Sequence, residues 1–151
     1  MWPYRAWQWR HQLEDVSNQT GMDTNLLAAI MDRESLCGDA LTPKGPQGTG
    51  DHGFGCGLMQ IDRRFHPIFC EFVSQWGDPY QNILYGASLL RGYIRKLGSQ
   101  ERGVCAYNAG PTKVSNSGFT AVADLDTLTT GKNYVSDVLH RLELFTSLGL
   151  R

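Results

Sequence analysis

Asp23-Thr24-Asn25-Leu26-Leu27-Ala28-Ala29-Ile30-Met31-Asp32-Arg33-Glu34-Ser35 reads as one helix. Asp23 is a capping residue type, and Leu26, Leu27, Ile30 and Met31 recur at helical spacing up to about Glu34. A step of four puts Glu34 on the face of Ile30, so its carboxyl points to the apolar side. The chain then changes character. From Gly38 to Gly57 there are seven glycines in 20 residues, with Pro43 and Pro46 among them. No regular helix survives that composition, and turns with a short hairpin are predicted. This segment runs into Gly50-Asp51-His52-Gly53-Phe54-Gly55-Cys56-Gly57-Leu58-Met59-Gln60-Ile61-Asp62, which sets two more acids, Asp51 and Asp62, behind Glu34.

Outward from this stretch the pattern is helical. Trp2, Ala6, Trp9, Leu13 and Val16 predict a helix to about Asn18, and Leu58 to Asp62 reads as the start of a brief one. Asp78-Pro79 is a cap followed by a first-turn proline; Ile83, Ala87, Leu90, Ile94 and Leu97 keep the period until Gly98. Ser99 caps a shorter helix through Val104 and Ala106, ended by Gly110-Pro111. Ser115 to Thr130 is loop-like. Tyr134, Val138, Leu142, Phe145 and Leu148 mark a last helix closed by Gly149. The prediction is a mainly α chain of the α+β class, one domain over residues 1–151, with residues 1–22 as an N-terminal helical extension.

With 151 residues, the chain is long enough to bury roughly 70% of its unfolded surface. An apolar fraction of 41% and a charged fraction of 19% are those of a globular protein. Fourteen basic against 15 acidic residues argue against nucleic acid as a partner, since phosphate binding needs clustered Lys and Arg. The longest apolar run, Leu26 to Met31, is far short of the ~20 residues of a membrane span, so no membrane insertion is expected. The opening stretch, Met1 to Arg10, has no apolar core of a secretory signal; removal of a signal, membership of a larger protein and another export route all stay open. Cys37, Cys56, Cys70 and Cys105 allow two disulfides in three pairings, or four buried thiols. Their spacing fits no zinc pattern. A Cys37–Cys56 bridge would staple the glycine loop to the helix.

The acids carry the chemistry. Glycosidic cleavage needs a carboxyl that still holds its proton near neutral pH, which burial against apolar side chains provides. Glu34 is that candidate, beside Ile30 and with Leu58-Met59 expected to fold over it. Asp51 or Asp62, more solvated and ionised, would orient a water or stabilise positive charge at the sugar. The alternative for Glu34 is a helix-end ion pair with Arg33 or Arg64.

Arg33-Glu34-Ser35, the run from Gly50 to Asp62, and Ala106-Tyr107-Asn108-Ala109-Gly110 together resemble the goose-type lysozymes, relatives of the soluble lytic transglycosylases. The resemblance covers roughly Asp23 to the last helix and implies a lysozyme-like fold. It implies a peptidoglycan hydrolase, a muramidase cleaving the β-1,4 bond between N-acetylmuramic acid and N-acetylglucosamine. That reaction would be inverting, free of metal and cofactor, with the enzyme a secreted or extracellular monomer. Glu34 matches the general acid, and Asp51 and Asp62 match the two acids that hold the attacking water. Gln60, His66, Tyr107 and Asn108 match substrate-binding positions. Tyr134 is grouped with them and matches a tyrosine near the acid.

Two departures stand out. Cys56 takes a place where the family carries an aromatic, and the N-terminal Trp2, Trp7 and Trp9 have no counterpart in the resemblance. Helical spacing favours packing over sugar stacking for these tryptophans. Rival functions are a lytic transglycosylase forming 1,6-anhydromuramyl ends, a non-catalytic wall- or chitin-binding module, and a cysteine hydrolase using Cys37 or Cys105.

Overall fold

The computed structural model describes residues 1–150. The described elements are nine helices, α1 Tyr4–Trp7, α2 Arg10–Thr20, α3 Thr24–Ser35, α4 Val73–Trp76, α5 Pro79–Leu97, α6 Gln100–Ala109, α7 Pro111–Ser117, α8 Val122–Asp126 and α9 Tyr134–Leu148. Three two-residue strands, β1 Thr49–Gly50, β2 Gly55–Cys56 and β3 Ile61–Asp62, lie between α3 and α4. They form one antiparallel sheet in the order β1-β2-β3, with Thr49 opposite Cys56 and Cys56 opposite Ile61. The mainly helical architecture with a small sheet is the one the sequence predicts.

Helix α3 begins where its cap requires: Asp23 accepts the Leu26 amide at 3.0 Å. Helix α5 is started by Asp78, which accepts the Gln81 amide, and stopped by Gly98 in the left-handed conformation at φ 87°. Helix α5 packs on α6 and α2, and α3 packs on α9. Leu26 to Met31 are all buried, as are Ile83, Ala87 and Leu90, in one contiguous apolar core.

Four segments differ from the pattern. The N-terminal helix breaks between α1 and α2, where the Trp9 backbone leaves the helical region at φ −98° and ψ 11° and its indole donates to the Cys37 carbonyl at 2.9 Å. Leu58 to Asp62 forms a turn and β3 rather than a helix, since Ile61 and Asp62 find partners on β2. The Ser115–Thr130 stretch contains the end of α7 and all of α8. Pro111 not only ends α6 but opens α7, where its missing N–H costs nothing.

The tryptophans pack. Trp2 is buried, donates to the Phe145 carbonyl at 3.1 Å and meets the Phe145 ring edge-on, tying the N-terminus to α9. Trp7 lies under the Arg10 guanidinium. All four cysteines are buried free thiols, so no bridge joins Cys37 to Cys56. The Cys37 thiol points at Asp32 instead, at 3.5 Å. No described helix is long and apolar enough to cross a membrane.

Candidate active site

A cleft of about 1020 Å³ opens between the helices and the small sheet. Glu34, Asp51, Gln60, Asp62, His66, Tyr107 and Asn108 all line it, so seven of the eight residues singled out from the sequence share one cavity. The eighth, Tyr134, lies behind its wall: it is buried and donates from its hydroxyl to Glu34 Oε2 at 2.6 Å. None of the N-terminal tryptophans lines the cleft.

Glu34 stands on the last turn of α3 and is only partly exposed. It makes no ion pair among the described residues. Arg33 turns away to Asp137 at 3.0 Å and Asn133 at 3.1 Å, and Arg64 binds the other acids. Burial therefore dominates and pushes the Glu34 pKa up to about 7, opposed by the Tyr134 hydroxyl and the Arg33 charge and reinforced by the Asp51 charge.

The position of Tyr134 follows from the start of α9. Asn133 is the capping residue, but its side chain is taken by Arg33. Asp126 at the end of α8 caps the helix instead, accepting the amides of Val135 and Ser136 at 2.7 and 3.1 Å. With its first turn fixed this way, α9 aims the Tyr134 phenol at Glu34.

The opposite wall is the glycine-rich hairpin. Asp51 lies in a tight turn after β1, and Asp62 lies in β3. Arg64 joins them: its backbone amide and Nε donate to Asp62 Oδ1 at 2.9 and 3.0 Å, and its Nη2 donates to Asp62 Oδ2 at 2.7 Å and Asp51 Oδ2 at 3.2 Å. The guanidinium, 4.1 Å over the Phe54 ring, holds the Asp62 carboxyl below its ordinary range.

Two joints fasten the hairpin to the helices. Ser35 donates to the Leu58 carbonyl at 2.7 Å, next to Glu34. Asn82, buried on α5, donates to the carbonyls of Cys56 and Trp76 and accepts the Met59 amide at 2.7 Å. That close approach requires Gly57, at φ 74°, because a Cβ there would come within 3.0 Å of the Trp76 carbonyl and nearer still to Asn82.

The remaining liners are held from behind. Tyr107 donates to the Met59 carbonyl at 2.7 Å, and Asn108 Oδ1 accepts the Thr130 amide at 3.0 Å. His66 Nδ1 lies 2.9 Å from the Tyr85 hydroxyl, and Phe69 stacks on the Tyr85 ring. Burial lowers the His66 pKa, and the ring lines the cleft. Sequence reasoning missed Arg64 as the link between the acids, Asn82 as the joint and Asp126 as the cap. A polar residue on the buried side of α5 was the signal for Asn82; Arg64 and Asp126 act across turns that no periodicity reveals.

The family described as lysozyme g matches residues 4–149, reaching across the N-terminal stretch that the motif resemblance leaves out. The lysozyme g of Cyprinus carpio is 32% identical over 155 aligned residues, which span 96% of this chain and 76% of that protein. For the lysozyme g of Struthio camelus the identity is 30%, with 91% of this chain and 65% of that protein covered. Among solved structures, an inactive mutant of the lytic transglycosylase Slt from Pseudomonas aeruginosa superposes with a TM-score of 0.67 at 22% identity. That match covers 92% of this chain and 24% of the transglycosylase, a likeness of fold. By the extent of the family match, this chain belongs to the lysozyme g family.

Proposed function

We propose that this chain is a muramidase that hydrolyses the β-1,4 bond between N-acetylmuramic acid and N-acetylglucosamine in peptidoglycan, with inversion, the described chain acting as one catalytic domain. The observation that carries the reading is one open cleft lined by Glu34, a carboxyl hydrogen-bonded by Tyr134 and pushed up to about 7, together with Asp51 and Asp62, the two carboxyls that share Arg64. Glu34 protonates the leaving O4 as the glycosidic bond breaks, its electron pair going to that oxygen. Asp51 and Asp62 hold the attacking water on the other face of the sugar. Tyr134 aims Glu34 rather than touching substrate. Gln60, His66 and Asn108 present amide and imidazole groups to the acetamido and hydroxyl groups of the sugars, and Tyr107 supports the wall through Met59. The polymer lies outside cells, so the enzyme works there as a secreted monomer.

Peptidoglycan of defined composition, digested and weighed by mass spectrometry, tests the reading. Reducing ends carrying one added water support it. Anhydro ends, one water lighter, would make the chain a lytic transglycosylase, and binding without turnover would make it a wall-binding module. Two further acids lining the cleft, beyond the one a proton donor needs, favour water over the sugar's own hydroxyl. A cysteine nucleophile is disfavoured: Cys37 and Cys105 are buried, and burial pushes both thiols up, Cys105 to about 11.

A further inference from the structure

Cys56 stands where the family resemblance carries an aromatic, and it has a second cysteine beside it. We propose that Cys56 and Cys70 form a disulfide when the chain folds under oxidising conditions, a bridge that ties the hairpin wall of the cleft to the segment leading into α4. The described chain holds both as thiols, the reduced form of that pair.

Both sulfurs converge on one cross-strand pair. Cys56 lies in β2 directly opposite Ile61 in β3. The Cys70 thiol donates to the Ile61 carbonyl at 3.5 Å. Opposed residues of an antiparallel pair stand about 4.5–5.5 Å apart between their Cα atoms, so the two thiols meet at one place on the sheet. They also act on each other. Burial pushes the Cys70 thiol up to about 12, and a side-chain hydrogen bond with Cys56 adds to the rise. A disulfide is geometrically demanding, and thiols already in contact meet the demand with the least movement.

The backbone positions both ends. Two successive turns return the chain to the sheet: the His66 amide donates to the Asp62 carbonyl at 2.8 Å, and the Cys70 amide to the His66 carbonyl at 3.1 Å. Cys56 is held from the other side, its carbonyl accepting from Asn82 at 3.0 Å.

The other two cysteines have different partners. The Cys37 thiol points at Asp32 Oδ1 at 3.5 Å, and the Cys105 thiol at the Leu125 carbonyl at 3.4 Å. Both are buried, and no cysteine is among the groups that shift either pKa. The fold therefore selects one bridge and leaves two thiols.

The oxidant is a low-molecular-weight disulfide, such as oxidised glutathione. Disulfide exchange begins with a thiolate, whose stabilising partner is a cation, and Arg63 Nη2 donates to the Cys56 sulfur at 3.1 Å. Cys56 attacks one sulfur of the oxidant, whose S–S bond breaks and releases one thiolate. Cys70, losing its proton, then displaces the second thiolate from Cys56. The protein gives up two protons and two electrons, and the oxidant takes them up as two thiols. Both cysteines are buried in the folded chain, so exchange runs before the hairpin closes over them, and the finished bridge is shielded from reductant.

The bridge closes the 15 residues from Cys56 to Cys70, among them Asp62, Arg64, Phe65 and His66 of the cleft. Its main effect is to remove freedom from the unfolded chain, which makes this wall harder to open.

Oxidative refolding tests the assignment. Chain unfolded with reductant is refolded in reductant alone or in mixed reduced and oxidised glutathione, then treated with iodoacetamide in guanidinium chloride. Four sulfurs should be labelled in the first sample and two, Cys37 and Cys105, in the second. Trypsin without reductant should release residues 45–63 joined to residues 65–91. The bridged sample should melt roughly 5–10 °C above the reduced one. Cys70→Ser should melt alike after both refoldings; the labelling of the unaltered chain decides the matter even if this variant folds poorly. Four labelled sulfurs after oxidative refolding, a linkage through Cys37 or Cys105, or a bridged chain that melts no higher than the reduced one overturns the proposal. The bridge forms or fails whatever polymer the chain cleaves, so the muramidase reading stands or falls separately.

Discussion

The helical wall of the cleft and the hairpin wall both present carboxyls, and they set them in opposite states by different means. On α3, Glu34 is packed among apolar groups and hydrogen-bonded by a phenol, with no cation bonded to it, and its pKa rises to about 7. On the hairpin, Asp62 has an arginine fork and is held down. Burial alone does not explain the contrast. Asp32, two residues before Glu34, is more buried than either, yet its pKa is lowered, because Arg5 at 2.7 Å and Arg141 at 2.5 Å grip both of its oxygens. A cation in hydrogen-bond contact decides which carboxyl keeps its proton, and Glu34 is the one left without.

The strongest way to break this comparison is to neutralise Glu34. Glu34→Gln keeps the size and removes the proton donor, so hydrolysis of bacterial walls should fall on the order of 10²–10⁴-fold with the fold intact by circular dichroism. Retained lysis would show that the protonated helical wall is not the acid. Next in size is Asp32. Removing it leaves Arg5 without its carboxylate and Arg141 with Asp137 alone, so Asp32→Ala should lose about 3 kcal/mol of stability in urea unfolding. The Asp32 contribution is present above the ordinary aspartate range and is lost as pH falls through its lowered folded value. A loss equally large in strong acid would refute the ion-pair account.

How much of this was legible depends on whether the cause was local. Asp23 and Asp78-Pro79 marked their helices because a cap acts within three residues, and Glu34 was placed on the apolar side by its step from Ile30. The break at Trp9 was not legible: the apolar period runs through it, and the contact its indole makes there, with the Cys37 carbonyl, is to a residue 28 positions away. Strand β3 was read as helix because two residues carry no period, and pairing with Gly55 and Cys56 alone makes it a strand. At the site, the acids declared themselves by type and neighbours. The arginine that separates them and the Asp126 cap that aims Tyr134 are contacts between elements, so only the folded chain displays them.

A smaller effect joins the proton of Glu34 to stability. Between the ordinary value of 4.5 and about 7, the unfolded chain has released a proton that the folded chain keeps. Stability therefore falls as pH rises through that window and levels off above it. Glu34→Gln abolishes the penalty, so the variant should be more stable than the unaltered chain by ~1–3 kcal/mol near pH 8 and equal to it near pH 4. Thermal melts at both values check this, and a gain independent of pH would detach the burial of Glu34 from its charge.

The smallest effect isolates the phenol. The Tyr134 hydroxyl donates to Glu34 and favours its charged form, so Tyr134→Phe removes a stabiliser of the anion and raises the Glu34 pKa further. With Glu34 as the proposed acid, activity needs its proton and fades as pH rises through that pKa, so the basic limb of the kcat/KM profile should move upward. The buried ring remains, and the lost hydrogen bond costs ~1 kcal/mol of stability. A limb that stays in place while kcat falls would mean that Tyr134 aims the carboxyl without tuning it. A limb that moves down would reverse the sign argued for the helical wall, leaving the arginine fork of the hairpin as the one device in the cleft whose effect on a carboxyl is understood.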